Sequence, residues 1–381
     1  MSAVALTRAI AEARARLGGS VTWINPAAEA LALQGHSDPV RVGIKDTEAI
    51  PVEMAARLTG APEHLWLTLD RPTPGGRAVD TGLINPLTGR PMTGSTSGGA
   101  VNVLEGINDI ALGTDGGGSV LGPAMACQLF GILGAGLGLQ GRGQGLSTDG
   151  RTFVPGLGLI ARTLPAAYRG LDLLLGEPLA EALLGPESGA APVGRLSPAG
   201  EAALRRVRRV VVPALGSLIR PDGLDMAAGL APAVERLAAF GVQPVHVDMS
   251  GAQDRGRALA ILAAASDHLV LTMEGPVDWY GLGDSVLGGL GGPAAAGQAA
   301  SGKYLLRAVN MAGATAVTVP VGRVSSGLLV TAPGGREWAE SALAAAALLC
   351  DLWPVPELLL RYFGPARRRR PGFPRPGGVS S

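Results

Sequence analysis

The sequence predicts an α/β fold, on two observations. Short runs rich in Val, Ile and Leu alternate along the chain with longer segments of helical apolar spacing, the order in which strands and helices follow one another in a layered α/β domain. Of the 381 residues, 47% are hydrophobic and 17% charged, enough apolar material for a large core; only 4% are aromatic, so alanine, leucine and valine must fill it.

The elements follow in order. Ala3, Leu6, Ile10, Ala13 and Leu17 share one face of a helix over 3–17. Val21 to Ile24 reads as a strand and Ala27 to Leu33 as a short helix. Pro39 to Asp46 alternates apolar and polar residues, as a strand does, with Lys45 at its end. By position alone that lysine is a solvated rim charge. A helix over 52–58 and a strand from His64 to Leu69 precede a Pro, Gly, Thr and Asp loop from Arg71 to Arg90. Ala100 to Glu105 is helical, and Pro123 opens a further helix to about Phe130. Gly131 to Gly145 holds a strand and turns; Thr163 caps the next helix. In the second half, strands are expected at Val207–Pro213, Val242–Val247, Ala316–Val321 and Ser326–Thr331. Helices are expected at Met226–Phe240, Ala258–His268, Lys303–Ala312 and Glu337–Leu349. Gly281 to Gly302 reads as a lid or cleft wall. The tail, residues 364–381, carries Arg367 to Arg370 among prolines and glycines and reads as disordered, so the folded unit is one domain over 1–363.

Composition excludes several function classes. The net charge of +1 argues against a nucleic-acid or membrane-surface role for the body of the chain. Arg8, Glu12, Arg14 and Arg16 break any apolar leader, and no apolar run reaches the ~18 residues of a membrane span. A cytoplasmic protein is expected. Cys127 and Cys350 form no disulfide framework and no zinc pattern; no metal or other cofactor is expected. None of His36, His64, His246 and His268 lies near the glycine motifs, so a Ser-His-Asp set would need tertiary contact.

The chemistry-bearing stretch is Gly94 to Ala124, GSTSGGAVNVLEGINDIALGTDGGGSVLGPA. It holds two glycine-flanked hydroxyl clusters, Ser95-Thr96-Ser97-Gly98-Gly99 and Gly116-Gly117-Gly118-Ser119, around an apolar helical segment and the run Ile110-Ala111-Leu112. Glycines beside a serine let the backbone approach a ligand and turn its N–H groups inward, so this run reads as an oxyanion hole joined to a nucleophile.

These residues resemble the amidase signature family of serine hydrolases, whose GTD-x-x-GS stands here as GTDGGGS at 113–119. Val42-Gly43-Ile44-Lys45-Asp46 is similar to the family's strand ending in Lys-Asp, Asn85-Pro86 to its NP, and GLGLIART, Gly156 to Thr163, to its G-P-I-A-R-T segment. Asn310-Met311-Ala312-Gly313 and Ala316 to Pro320 resemble its late N-x-x-G and strand. The resemblance implies a single domain with a central twisted mixed β-sheet covered by helices on both faces. It implies a Ser–cis-Ser–Lys set without histidine: Ser119 as nucleophile, Ser95 as bridge after a cis peptide, Lys45 as base. Backbone N–H groups of Gly116, Gly117, Gly118 and Ser119 would form the oxyanion hole. Matching Ser97-Gly98-Gly99 to the family's S-G-G would instead make Thr96 the bridge. The Ser95 alignment needs no gap in the helix and strand that follow, and a β-branched residue crowds a cis peptide more than serine does.

The chain departs from the family in having Leu121 where an arginine usually follows the nucleophile by two positions, and in shorter segments between Lys45 and Ser95 and after Gly322. The apolar surroundings of Leu121 suggest an uncharged acyl group. The expected activity is hydrolysis of a small-molecule carboxamide through an acyl-Ser119 intermediate, with neither nucleic acid nor membrane as partner and a homodimer allowed. Two alternatives stand beside it: an amidotransferase or acyl-transfer component that passes ammonia or the acyl group on, and a non-catalytic scaffold that keeps the fold.

Overall fold

The computed structural model describes residues 4–33, 39–147, 149–185, 195–278 and 301–356, with 359, 362 and 363. Eleven strands form one sheet. Its order from edge to edge is β1 (Val21–Ile24), β3 (His64–Asp70), β2 (Val40–Lys45), β6 (Ile110–Asp115), β10 (Gly156–Ala161), β7 (Phe130–Leu133), β14 (Thr315–Pro320), β15 (Gly327–Ala332), β13 (Leu269–Glu274), β11 (Arg209–Pro213) and β12 (Gln243–Val247). The sheet is mixed: β2 runs parallel to both β3 and β6, β11 runs parallel to β12 and β13, and the remaining pairs are antiparallel. Every residue of β6, β10, β13 and β15 is buried, so helices must cover both faces of these central strands. That explains why Ile110-Ala111-Leu112 in β6 reads as an apolar run and not as an alternating one. Two small ribbons lie outside the sheet, β4 (Val79–Ile84) with β5 (Pro91–Thr93) and β8 (Gly145–Leu146) with β9 (Thr152–Phe153).

The α-helices among the described residues are α1 (Val4–Ala15), α2 (Pro26–Leu33), α3 (Val52–Thr59), α4 (Ser97–Glu105), α5 (Leu121–Ala126), α6 (Leu164–Leu175), α7 (Pro198–Arg205), α8 (Met226–Ala238), α9 (Arg255–Ala264) and α10 (Arg336–Leu349). No helix among them is long and apolar enough to cross a membrane. α10 is built on alanine, and its residues from Ser341 to Leu349 are all buried. Small side chains let it pack closely, and the Leu343 carbonyl accepts a hydrogen bond from the buried Tyr168 hydroxyl of α6. One continuous core runs under most of the sheet. A separate cluster, including Leu6, Ile10, Val21, Leu67 and Ile107, seals the β1–β3 edge beneath α1 and α2.

Three local expectations are corrected. The loop expected from Arg71 to Arg90 contains β4, where Val79 pairs with Thr93, and Val79 and Leu83 are buried while Ile84 is exposed. The helix expected from Pro123 to Phe130 is the shorter α5; Gln128 takes a left-handed φ of 54°, and Phe130 already belongs to β7. The helix expected from Lys303 to Ala312 reduces to one 3-10 turn, Leu305–Arg307. There the backbone N–H groups of Tyr304 and Leu306 donate to the Glu274 carboxylate at 2.8 and 3.0 Å, which takes them out of a helical ladder. Most of the expected lid, residues 281–300, and the whole Arg-rich tail lie outside the described residues.

Candidate active site

The parallel neighbours β2 and β6 end side by side, and the site is built on their C-terminal ends. Lys45, the last residue of β2, is buried and points its ammonium group across to β6. Nζ lies 2.8 Å from Ser95 Oγ, 2.9 Å from Thr114 Oγ1 and 3.3 Å from the Thr114 carbonyl. The rim charge suggested by its position alone is therefore an interior amine. Burial lowers its pKa to about 8, against the opposing pull of the nearby Asp115 carboxylate. A lysine with that pKa is neutral in about a tenth of the molecules at pH 7 and in about half of them at pH 8, and the neutral form can accept a proton.

Ser95 follows the cis peptide Gly94–Ser95. Gly94 is held by close approach: a Cβ there would stand 2.2 Å from Thr73 Oγ1 and 2.3 Å from the Arg77 carbonyl oxygen. The three hydroxyls of this cluster separate in space. Ser95 Oγ faces Lys45. Ser97 Oγ donates to Asp80 at 2.8 Å, within a polar group that also holds Thr73 and Arg71. Thr96 turns towards β6, so that a Cβ on Gly113 would meet its Oγ1 at 2.6 Å, and that hydroxyl is buried without a hydrogen-bond partner. Of the two candidate bridges, only Ser95 is bonded to Lys45.

The turn after β6 is shaped by Asp115, whose role the sequence reading missed although it sits inside the GTD motif. Its carboxylate accepts from the N–H groups of Gly118 and Val120, both at 2.6 Å, and of Leu121 at 3.3 Å. Burial raises its pKa, and these backbone donors, with that of Ser119, oppose the rise. Gly118 takes φ 94°, a left-handed conformation that a side chain would strain, and this swings the chain round the carboxylate. The expected oxyanion donors narrow as a result. The Gly118 N–H is engaged by Asp115, and Ser119 N–H also faces that carboxylate, whereas among the described residues the N–H groups of Gly116 and Gly117 make no hydrogen bond. Ser119 is partly exposed, and its carbonyl accepts the Thr96 N–H at 3.0 Å, tying the two hydroxyl clusters together.

Lys45, Ser95, Gly116, Gly117 and Ser119 all line one cleft of about 520 Å³. Phe153 closes one side against Gly116, and Arg255 and Arg307 line the wall beside Gly117. Leu121, by contrast, is fully buried in α5 and does not reach the cleft, so it says nothing about an acyl group. No sequence signal marked Arg255 or Arg307; sheet topology brings them 136 and 188 positions along the chain from Ser119. No histidine of the described residues lines the cleft; His64 is buried elsewhere, against the Leu58 carbonyl.

No protein-family model and no curated protein matches the sequence. Solved structures do match. A 6-aminohexanoate cyclic dimer hydrolase, solved with its substrate, is 16% identical with a TM-score of 0.60, over 93% of this chain and 95% of that one. A bacterial aryl acylamidase of the amidase signature family is 16% identical with a TM-score of 0.58, over 97% and 95%. The peptide amidase of Stenotrophomonas maltophilia is 14% identical with a TM-score of 0.56, over 93% and 95%. At these identities the likeness shows the fold: this chain has the mixed-sheet α/β fold of those enzymes, along nearly its whole length.

Proposed function

We propose that this protein is a serine amidase, hydrolysing a carboxamide to a carboxylate and ammonia or an amine. The observation that carries the reading is the 2.8 Å contact between the buried Lys45 Nζ and Ser95 Oγ, in a cleft that also presents Ser119 and two unengaged backbone N–H groups. The shared fold with amide hydrolases supports it. In this reading neutral Lys45 accepts the Ser95 hydroxyl proton while Ser95 takes that of Ser119. Ser119 Oγ bonds to the carbonyl carbon, and the oxygen that gains the negative charge is met by the Gly116 and Gly117 N–H groups. As the C–N bond breaks, Ser95 returns a proton to the departing nitrogen and is reprotonated from Lys45. Water then repeats the sequence on the acyl-Ser119 ester and releases the acid.

A fluorophosphonate should add its mass to the peptide containing Ser119, and Ser119→Ala should abolish the labelling. Full labelling of the Ser119→Ala protein would overturn the assignment. Release of ammonia or amine by the purified chain alone would separate hydrolysis from transfer to a partner.

A further inference from the structure

The cleft wall beside the candidate oxyanion donors is cationic, and no step of the proposed hydrolysis uses it. Arg255, the first residue of α9, is 8% exposed and lines the cleft. Its Nη1 pairs with Asp149. Its Nε is buried with no hydrogen-bond partner, and its Nη2 makes none among the described residues. That Nη2 lies only 3.2 Å from where a Cβ on Gly117 would stand. Arg307 lines the same wall. Its Nη1 donates to the Gln253 carbonyl at 2.9 Å, and burial, then the charge of Arg255, lower its pKa. The carboxylates around the pair are already committed. Asp149 is shared between Arg255 and Arg151, Asp254 caps α9 through the Arg257 N–H, and Glu274 accepts from Tyr304, Leu306 and Thr272.

A buried guanidinium Nε without an acceptor is costly, and the Nη2 beside it stands as an uncommitted charged donor on the cleft wall, suited to a carboxylate oxygen. Resting on the amidase reading, we infer that the cleft takes small amides that carry a carboxylate a few bonds from the scissile carbonyl, with Arg255 binding that carboxylate and Arg307 adding positive charge beside it. The shortness of the substrate follows from the contact between Arg255 and Gly117: a carboxylate on Nη2 and a carbonyl oxygen at the Gly117 N–H are neighbours. This replaces the uncharged acyl group suggested by Leu121.

The test pairs malonamate, succinamate and glutaramate with propionamide, butyramide and valeramide. For the best of the three lengths, wild-type kcat/KM should favour the carboxylate-bearing amide by about tenfold or more, the scale of a charge-assisted contact. Arg255→Gln should erase most of that ratio and Arg255→Lys should keep part of it. Equal or reversed preference at every length, in protein whose Ser119 is labelled by fluorophosphonate, overturns this inference and leaves the amidase reading intact. If Ser119 is not labelled and no amide turns over, the amidase reading has failed. Calorimetry with malonate, succinate and glutarate then decides the anion site alone: binding by the wild type supports it, and no binding overturns it. Should Arg255→Gln not fold, the wild-type ratio and succinate inhibition of that turnover carry the decision, with succinate expected to inhibit more strongly than succinamide.

Discussion

Lys45 is the residue on which the proposed chemistry turns, and its environment fixes a pH dependence. A base works only in its neutral form, and burial lowers this lysine to about 8. In the free enzyme kcat/KM should therefore rise close to tenfold per pH unit below that value and level off above it; a flat profile from pH 6 to 9 would remove Lys45 from the role. Lys45→Arg keeps the charge but stays protonated, and should lower kcat by about 10²–10⁴-fold. The choice between Ser95 and Thr96 is equally sharp. Ser95→Ala should lose a similar factor. Thr96→Val removes a hydroxyl that has no partner while keeping the shape packed on Gly113, so it should keep activity and lose no stability in denaturant melts. Loss of activity in Thr96→Val would move the bridge to that residue. Ser95 and Ser119 were legible as residues because they lie within the glycine motifs, and Lys45 only through the resemblance of Val42 to Asp46 to a strand ending in Lys-Asp. Asp115 and the two arginines were not, because a carboxylate that pins a turn and a guanidinium brought in from another part of the fold leave no local pattern.

At the scale of elements, the β2–β6 pair sets the spacing of the site. In their parallel register Gly43 lies opposite Ala111 and Ile44 opposite Leu112, which leaves Lys45 level with the end of β6 and within reach of Thr114. Beneath them the Asp70 carboxylate of β3 accepts from Thr68, Asn102 and Asn108, so β3, α4 and the α4–β6 turn share one buried polar knot. Gly43 gives that knot its room: a Cβ there would stand 2.1 Å from Asp70 Oδ2 and 2.2 Å from Asn108 Nδ2. Gly43→Ala should destabilise the fold by about 1–3 kcal/mol, the usual range for overpacking, and lower activity through Lys45; an unchanged denaturant midpoint would contradict this. The periodicity of β1, β2, α3 and α8 predicted them to within a residue or two, since each is bounded by Gly, Pro or a polar cap. Where prediction failed, a long-range bond decided: Glu274 draws the 303–307 backbone out of a helix, and the pairing of β4 with β5 makes a strand of a segment that reads as loop.

Across the whole molecule, the buried titratable groups predict how stability follows pH. Burial pushes both Asp70 and Glu274 up to about 7, against ~3.9 and ~4.3 for the same groups in an unfolded chain. Between roughly pH 4 and 7 the folded state therefore binds more protons than the unfolded state, and stability falls as pH rises through that window. Asp115 and Asp172, both raised by burial, act in the same direction. Asp149 and Asp248 are shifted the other way and titrate below the window. Lys45 opposes the trend at higher pH. Folded, it loses its proton near 8; unfolded, it keeps it to ~10.4, so its own contribution to stability rises between those values. Cys127 and Cys350, both pushed up by burial against ~8.5 in an unfolded chain, lower stability above that point. The melting temperature, followed by circular dichroism, should fall from pH 5 to about 7.5. Asp70→Asn should flatten that fall, and Lys45→Met should make the melting temperature drop more steeply from about pH 8 to 10. A melting temperature that climbs steadily from pH 5 to 7.5 would mean that Asp70 and Glu274 are ionised throughout, held so by the donors around them, and that burial is not what governs these carboxyl groups.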